Sequence, residues 1–333
     1  MNKTGSATRY MTILGLLLAA NVLAFTGNIV SGERAVPLLE AIRTAAGFGS
    51  DTYEFTIRTL RMPRALVGLL AGAALALSGV ILQAITRNPL ASPGVMGLNA
   101  GAGAAAVAVI VMAPTFPTAG LPFVAFGGAL LTAAMIYAFS WRRGSSPIRM
   151  LLVGIGISAI AGAVISYLLS VGGIFRVSQA SVWLAGSLYG RGWEHVWPLL
   201  PWLVAWFPVC MLLARHLDAI QLGDEMATGV GLPLERSRGL LVLVSVGLAG
   251  AAVSMVGTVG FIGLMAPHLS RHLVGNMSAR LLPAAALMGG LVMQLSDLVG
   301  RTVFAPFEIP VGIVTALLGA PYMIYLLYRP RHL

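Results

Sequence analysis

His268 and His272 stand four residues apart, which puts two imidazoles on one helical face, a spacing that suits a metal ion. No third ligand lies near them in sequence, so they read as paired loop histidines. Asp297 precedes Arg301 by one helical turn, an ordinary helix ion pair rather than the midplane acid that an ion-driven carrier needs. Hydrolytic triads and paired carboxylates are absent. Lys3 is the only lysine, so a phosphate-binding G-x-x-x-x-G-K-[ST] loop is excluded, and Cys210, the only cysteine, excludes an internal disulfide. The expectation is a chain with no catalytic residue, no metal site and no cofactor of its own, for which another polypeptide must hydrolyse any ATP.

Charge gathers instead at two places. One is the loop HLDAIQLGDEMATGVGLPLERSRG, His216 to Gly239, with Asp218, Asp224, Glu225, Glu235, Arg236 and Arg238. Asp224 is placed to cap a short helix through Thr228. Gly229 and Gly231 then break it, and Pro233 suits the first turn of a second short helix ending in Glu235 and Arg236. Two short helices at a sharp turn make a knob, and on a chain without an ATP site such a knob suits the docking of a separate ATPase. The other place is the stretch between the first two apolar runs, which crowds Arg34, Arg43, Arg58, Arg61 and Arg64 into one segment.

The elements that must position these groups are membrane helices. Of 333 residues, 58% are hydrophobic and only 10% charged, and the net charge of +10 forms no basic tract for nucleic acid. A bilayer core of about 30 Å needs about 20 apolar residues per helix. Ten runs qualify or nearly so: 10–30, 65–85, 95–113, 123–141, 150–171, 196–214, 239–256, 261–273, 281–299 and 311–328. The eighth is short and carries Pro267, His268 and Arg271, as a half-length or broken helix would. The first resembles a signal peptide in its flanks, but its length and the lack of an A-x-A site favour an uncleaved helix. With both termini inside, cytoplasmic segments hold thirteen of the twenty-one basic residues, Arg142, Arg143, Arg329 and Arg331 among them, as the positive-inside rule requires. The expected fold class is an all-α polytopic membrane protein, a single domain over 1–333. A Pro-containing echo between Arg87–Gly97 and Gly263–Gly275 suggests an inverted internal repeat. Residues 36–48 read as an amphipathic surface helix with Val36, Leu39, Ile42 and Ala46 on one face.

The run LRMPRALVGLLAGAALALSGVILQAITRNPLASPGVMGLNAGAG, Leu60 to Gly103, resembles the signature of FecCD-type permeases, the membrane subunits of ATP-binding-cassette importers for iron-siderophores, haem and cobalamin. WLAGSLYGRGW (183–193), LGDEMATGVGLPLERSR (222–238), GFIGLMAPHLSRHLVG (260–275) and SDLVGRTVFAPFEIPVGIVTALLGAPYMIYLL (296–327) are similar to family blocks in family order. The likeness spans about 55–328. It implies a permease dimer, homo- or heteromeric, with the path at its interface between the fifth and tenth spans. It also implies two cytoplasmic ATPase subunits, which bind ATP and Mg, and a periplasmic or lipid-anchored binding protein. By position, Arg61, Arg64 and Arg301 would dock the binding protein. Asp224, Glu225, Met226, Leu232 and Arg236, within a coupling loop at about 216–239, would meet the ATPase, and Ser145, Ser146 and Pro147 would lie at the cytoplasmic gate. The expected role is inner-membrane import of a ferric siderophore by alternating access, with haem or cobalamin as alternatives. An ion-coupled secondary transporter or channel is the competing class.

Overall fold

The computed structural model describes residues 3–32, 35–49, 51–141 and 144–328. Arg34, Arg142, Arg143, Arg329 and Arg331, on which part of the topology argument rests, lie outside these. In chain order the helices are α1 (Lys3–Val30), α2 (Leu38–Ala45), α3 (Asp51–Glu54), α4 (Met62–Thr86), α5 (Leu98–Met112), α6 (Leu121–Ser140), α7 (Pro147–Val171) and α8 (Ile174–Ala185). There follow α9 (Trp193–Leu212), α10 (Ala214–Gln221), α11 (Asp224–Gly229), α12 (Leu234–Val256), α13 (Ile262–Val274), α14 (Ser278–Thr302) and α15 (Val311–Tyr328). A π-helical stretch, Phe55–Arg61, joins α3 to α4, so that Asp51–Thr86 is one helical rod of 36 residues. Each of the ten apolar runs falls mainly on one helix, although 196–214 runs past the end of α9 to the first residue of α10. Among the described residues seven segments are long and apolar enough to cross a membrane, while Leu98–Met112 and Val311–Leu326 are shorter apolar helices. At 13 residues, α13 rises only about 20 Å, less than a bilayer core.

Two helices form the centre. In α4 and α12, 89% and 83% of the apolar window is buried, against 17% to 28% in α1, α7, α9 and the α6 segment, whose apolar surfaces face outward. Lipid offers no hydrophobic contrast, so helices associate by close van der Waals approach at small residues. Gly72 of α4 backs onto Gly289 of α14, and Gly79 backs onto Gly263 of α13, leaving no room for a Cβ at either crossing. Ser78 and Ser245 share a buried 2.7 Å hydrogen bond between α4 and α12.

Three local expectations are corrected. The carboxylate of Asp224 does not cap α11; it is drawn into ion pairs with arginines outside the helix. No short helix ends at Glu235 and Arg236, because Leu234 opens α12 and both residues sit in the first turn of a 23-residue membrane helix. The knob is instead built from α10 and α11. His268 and His272 are helical rather than in a loop, and their Nε2 atoms bond each other at 3.0 Å. The Arg87–Gly97 and Gly263–Gly275 segments also differ locally, the first being turns and the second helix. In α2 the buried residues are Ala41 and Thr44, while Leu39 and Ile42 point outward at 60% and 52% exposure.

Candidate functional site

Two polar clusters occupy opposite ends of the bundle. At one end the rod Asp51–Thr86, the close of α1, the close of α14 and the loop before α15 surround a cavity of about 680 Å³, lined by Arg61, Arg64, Arg191, Glu194, Arg301 and Glu308 among others. All three predicted docking arginines therefore meet in one place. Their surroundings differ. Arg61 is buried and donates from Nη1 to the carbonyls of Ile29 and Val30 at 2.8 and 2.9 Å, capping the end of α1. Arg301 is buried against the carbonyl and side-chain oxygen of Asn28. Arg64 grips Asp297 with Nε and Nη2, at 3.0 and 2.7 Å, and reaches Glu308 with Nη1 at 2.9 Å.

Fork geometry explains the choice of arginine here. One guanidinium binds two carboxylates in fixed directions, which an ammonium cannot do. Asp297 is thereby committed: it holds Arg64 and lies 3.9 Å from Arg301 Nε. Glu308, at 31% side-chain exposure, is the solvent-facing member of the network. Across the cavity, Arg191 bonds His195 at 2.9 Å, and burial pushes its guanidinium below the ordinary arginine value while Glu194 opposes the shift.

At the other end, the predicted gate and the predicted coupling loop are in contact. Trp141 and Ser145 make a single antiparallel pairing that leads into α7, with Pro147 in its first turn. Glu235 accepts from the backbone N–H of Ser145 at 3.2 Å and from its hydroxyl at 2.7 Å. Arg238, fully buried, donates from Nη1 to the Ser145 carbonyl at 2.8 Å and from Nη2 to Asp224 Oδ1 at 2.8 Å. Arg87 also reaches Asp224 at 3.4 Å. Among the described residues these bonds to the gate segment are made by Ser145.

Glu225, Met226 and Arg236 are exposed and Leu232 is half-buried. Sequence reading missed Leu222 and Val230, which flank α11 and are exposed at 67% and 72%, as is Met226 within it at 60%. It also missed Glu235 and Arg238 as the link to Ser145, which no local pattern announces. Among the described residues no group of three His, Cys, Asp or Glu side chains could hold a metal ion.

The model of the FecCD transport family matches residues 16–329. A Bacillus subtilis (strain 168) protein described as "Probable siderophore transport system permease protein" is 41% identical over 329 residues, 97% of this chain and 95% of the relative. A second from the same organism, an Fe(3+)-citrate import system permease protein, is 42% identical over 316 residues, covering 95% of both chains. A solved structure described as an inward-facing, metal-chelate type ABC transporter superposes with a TM-score of 0.84 at 29% identity, covering 96% of this chain and all of the other.

Proposed function

The chain belongs to the FecCD transport family and is a permease subunit of an ATP-binding-cassette importer rather than an enzyme; we propose that its cargo is a ferric siderophore. The observation that carries the cargo is the pair of relatives above, whose names specify siderophore and ferric citrate and whose alignments run nearly end to end. We infer that the chain makes ten crossings of the inner membrane, with α13 as a partial one and both termini cytoplasmic. The end bearing Asp224 and Ser145 would then be cytoplasmic and the arginine cavity external.

In this reading a binding protein docks over the external cavity. Arg61 and Arg301 hold the end of α1 in place and add positive field, while Arg64 offers its fork to a partner carboxylate in exchange for Glu308. A second permease, a copy or a related chain, covers the exposed apolar faces of α7 and α15, where Leu152, Ile160, Leu317 and Ile324 face outward. Two ATPase subunits, which bind ATP and Mg, grip Glu225, Met226, Leu232 and Arg236. Their closure moves the α10–α11 knob. Asp224, Arg238 and Glu235 pass that displacement to Ser145, and the gate at Ser145, Ser146 and Pro147 opens or shuts with it. An ion-coupled mechanism is not favoured, since the family match and the relatives are those of ATP-binding-cassette permeases.

Cargo is tested by competition in proteoliposomes holding permease, ATPase and binding protein. Unlabelled ferric siderophore is expected to suppress uptake of labelled ferric siderophore, and haem and cobalamin to leave it unchanged. Suppression by haem or cobalamin alone would reassign the cargo.

A further inference from the structure

We propose that His268 and His272 form a chelating site for a divalent transition-metal ion, Cu2+ above all, with water completing the coordination. The two residues lie one turn apart near the end of α13, and their Nε2 atoms approach to 3.0 Å. A hydrogen bond across that gap needs one ring protonated on Nε2 and the other bare. With both protons on Nδ1, two lone pairs face one point, an arrangement that a cation satisfies. Metal–imidazole bonds of about 2.0–2.1 Å that span the 3.0 Å gap meet at about 95°. The same triangle carried back through the rings puts their centroids about 4.7 Å apart, and they lie 4.8 Å apart. Rings aimed head-on at each other along a hydrogen bond would stand about 5.3 Å apart. The angle is the cis angle of tetragonal Cu2+ and is narrower than the tetrahedral angle of Zn2+.

The surrounding fold holds the pair in place. Pro267 has no N–H, so the Gly263 carbonyl one turn earlier loses its helix donor. Gln83 of α4 donates to that carbonyl at 3.4 Å and accepts from Arg271 through its own oxygen. These bonds set the rotation of α13 and turn the neighbouring guanidinium toward α4. Tyr322 of α15 stands edge-on to the His268 ring, with centroids 5.7 Å apart at 72°. His272 is exposed and His268 half-buried, so an ion can reach both. The pair also lies at the knob end of the bundle, because Ser278, at the start of the next helix, donates its N–H to Asp218 of α10 at 2.8 Å. Two imidazoles, with the other positions left to water, make an exchangeable site rather than a permanent centre.

The proposal rests on the geometry of α13 and not on cargo or ATPase, so its test reads metal rather than uptake. The purified full chain is titrated with Cu2+ and followed by electron paramagnetic resonance, with affinities for Cu2+ and Zn2+ read by isothermal titration calorimetry. A tetragonal spectrum split by imidazole nitrogens is expected, with Cu2+ bound more tightly than Zn2+. His272→Ala, at an exposed position, should lower Cu2+ affinity at least about ten-fold, since even changes outside the ligand shell cost that much, and should leave thermal unfolding unchanged. In the unmodified chain, bound Cu2+ should protect His268 and His272 from acylation by diethyl pyrocarbonate, mapped by peptide mass spectrometry. Unchanged Cu2+ affinity in His272→Ala, equal acylation of both histidines with and without Cu2+, or a spectrum lacking imidazole nitrogens would overturn the proposal.

Discussion

Arg64, half-buried, and Arg238, fully buried, are both held by carboxylates, in different ways. Arg64 divides its fork between a buried partner, Asp297, and a half-exposed one, Glu308. A docking carboxylate must compete with Glu308 but not with Asp297. Glu308→Gln is therefore expected to strengthen association with the binding protein, measured by surface-immobilised binding kinetics; weaker or unchanged affinity would contradict the exchange. Arg238 instead has no exposure and joins the Ser145 carbonyl to Asp224, while Glu235 accepts both Ser145 donors. In Glu235→Gln one side-chain oxygen becomes a donor facing other donors, and charge-assisted bonds become ordinary ones of roughly half the strength. The expected outcome is an assembled complex that hydrolyses ATP with reduced uptake per ATP, read as the ratio of the two rates. A normal ratio would remove Glu235 from the coupling route. The arginines themselves were legible from composition and position. Their partners were not, because Arg64 and Asp297 are 233 residues apart and only packing of α4 against α14 joins them.

Helices were the most legible level. Long apolar runs in a chain of few charges have little choice but to satisfy their backbone internally, and each run became a helix. The boundaries failed where hydropathy and hydrogen bonding diverge. At Leu234 the charged residues Glu235, Arg236 and Arg238 interrupt the apolar signal, yet the backbone is already helical and continues unbroken to Val256. In the same way α10 was missed because its eight residues carry Arg215, His216 and Asp218, although Leu217 and Ile220 bury its inner face. The knob these helices form presents Leu222, Met226 and Val230 outward. Burying a methionine in a partner is worth about 1.5–3 kcal/mol, so Met226→Glu is expected to lower co-purification of the ATPase at least ten-fold without altering thermal unfolding of the permease. Undiminished co-purification would exclude Met226 from the contact.

Taken whole, the molecule is a pair of enclosed helices, α4 and α12, wrapped by helices whose outer faces are left apolar, with a polar network at each end. In the outer network Arg64 pairs Asp297 and Glu308, and in the other Asp224 and Glu235 pair with arginines. In the proposed reading energy arrives from the ATPase through the α10–α11 knob. The decisive measurement is uptake of radiolabelled ferric siderophore into proteoliposomes, with and without the ATPase and its nucleotide and under imposed proton and sodium gradients. Uptake that requires ATPase, ATP and binding protein together, and is indifferent to either gradient, is the predicted result; accumulation driven by a gradient with the ATPase left out would contradict it.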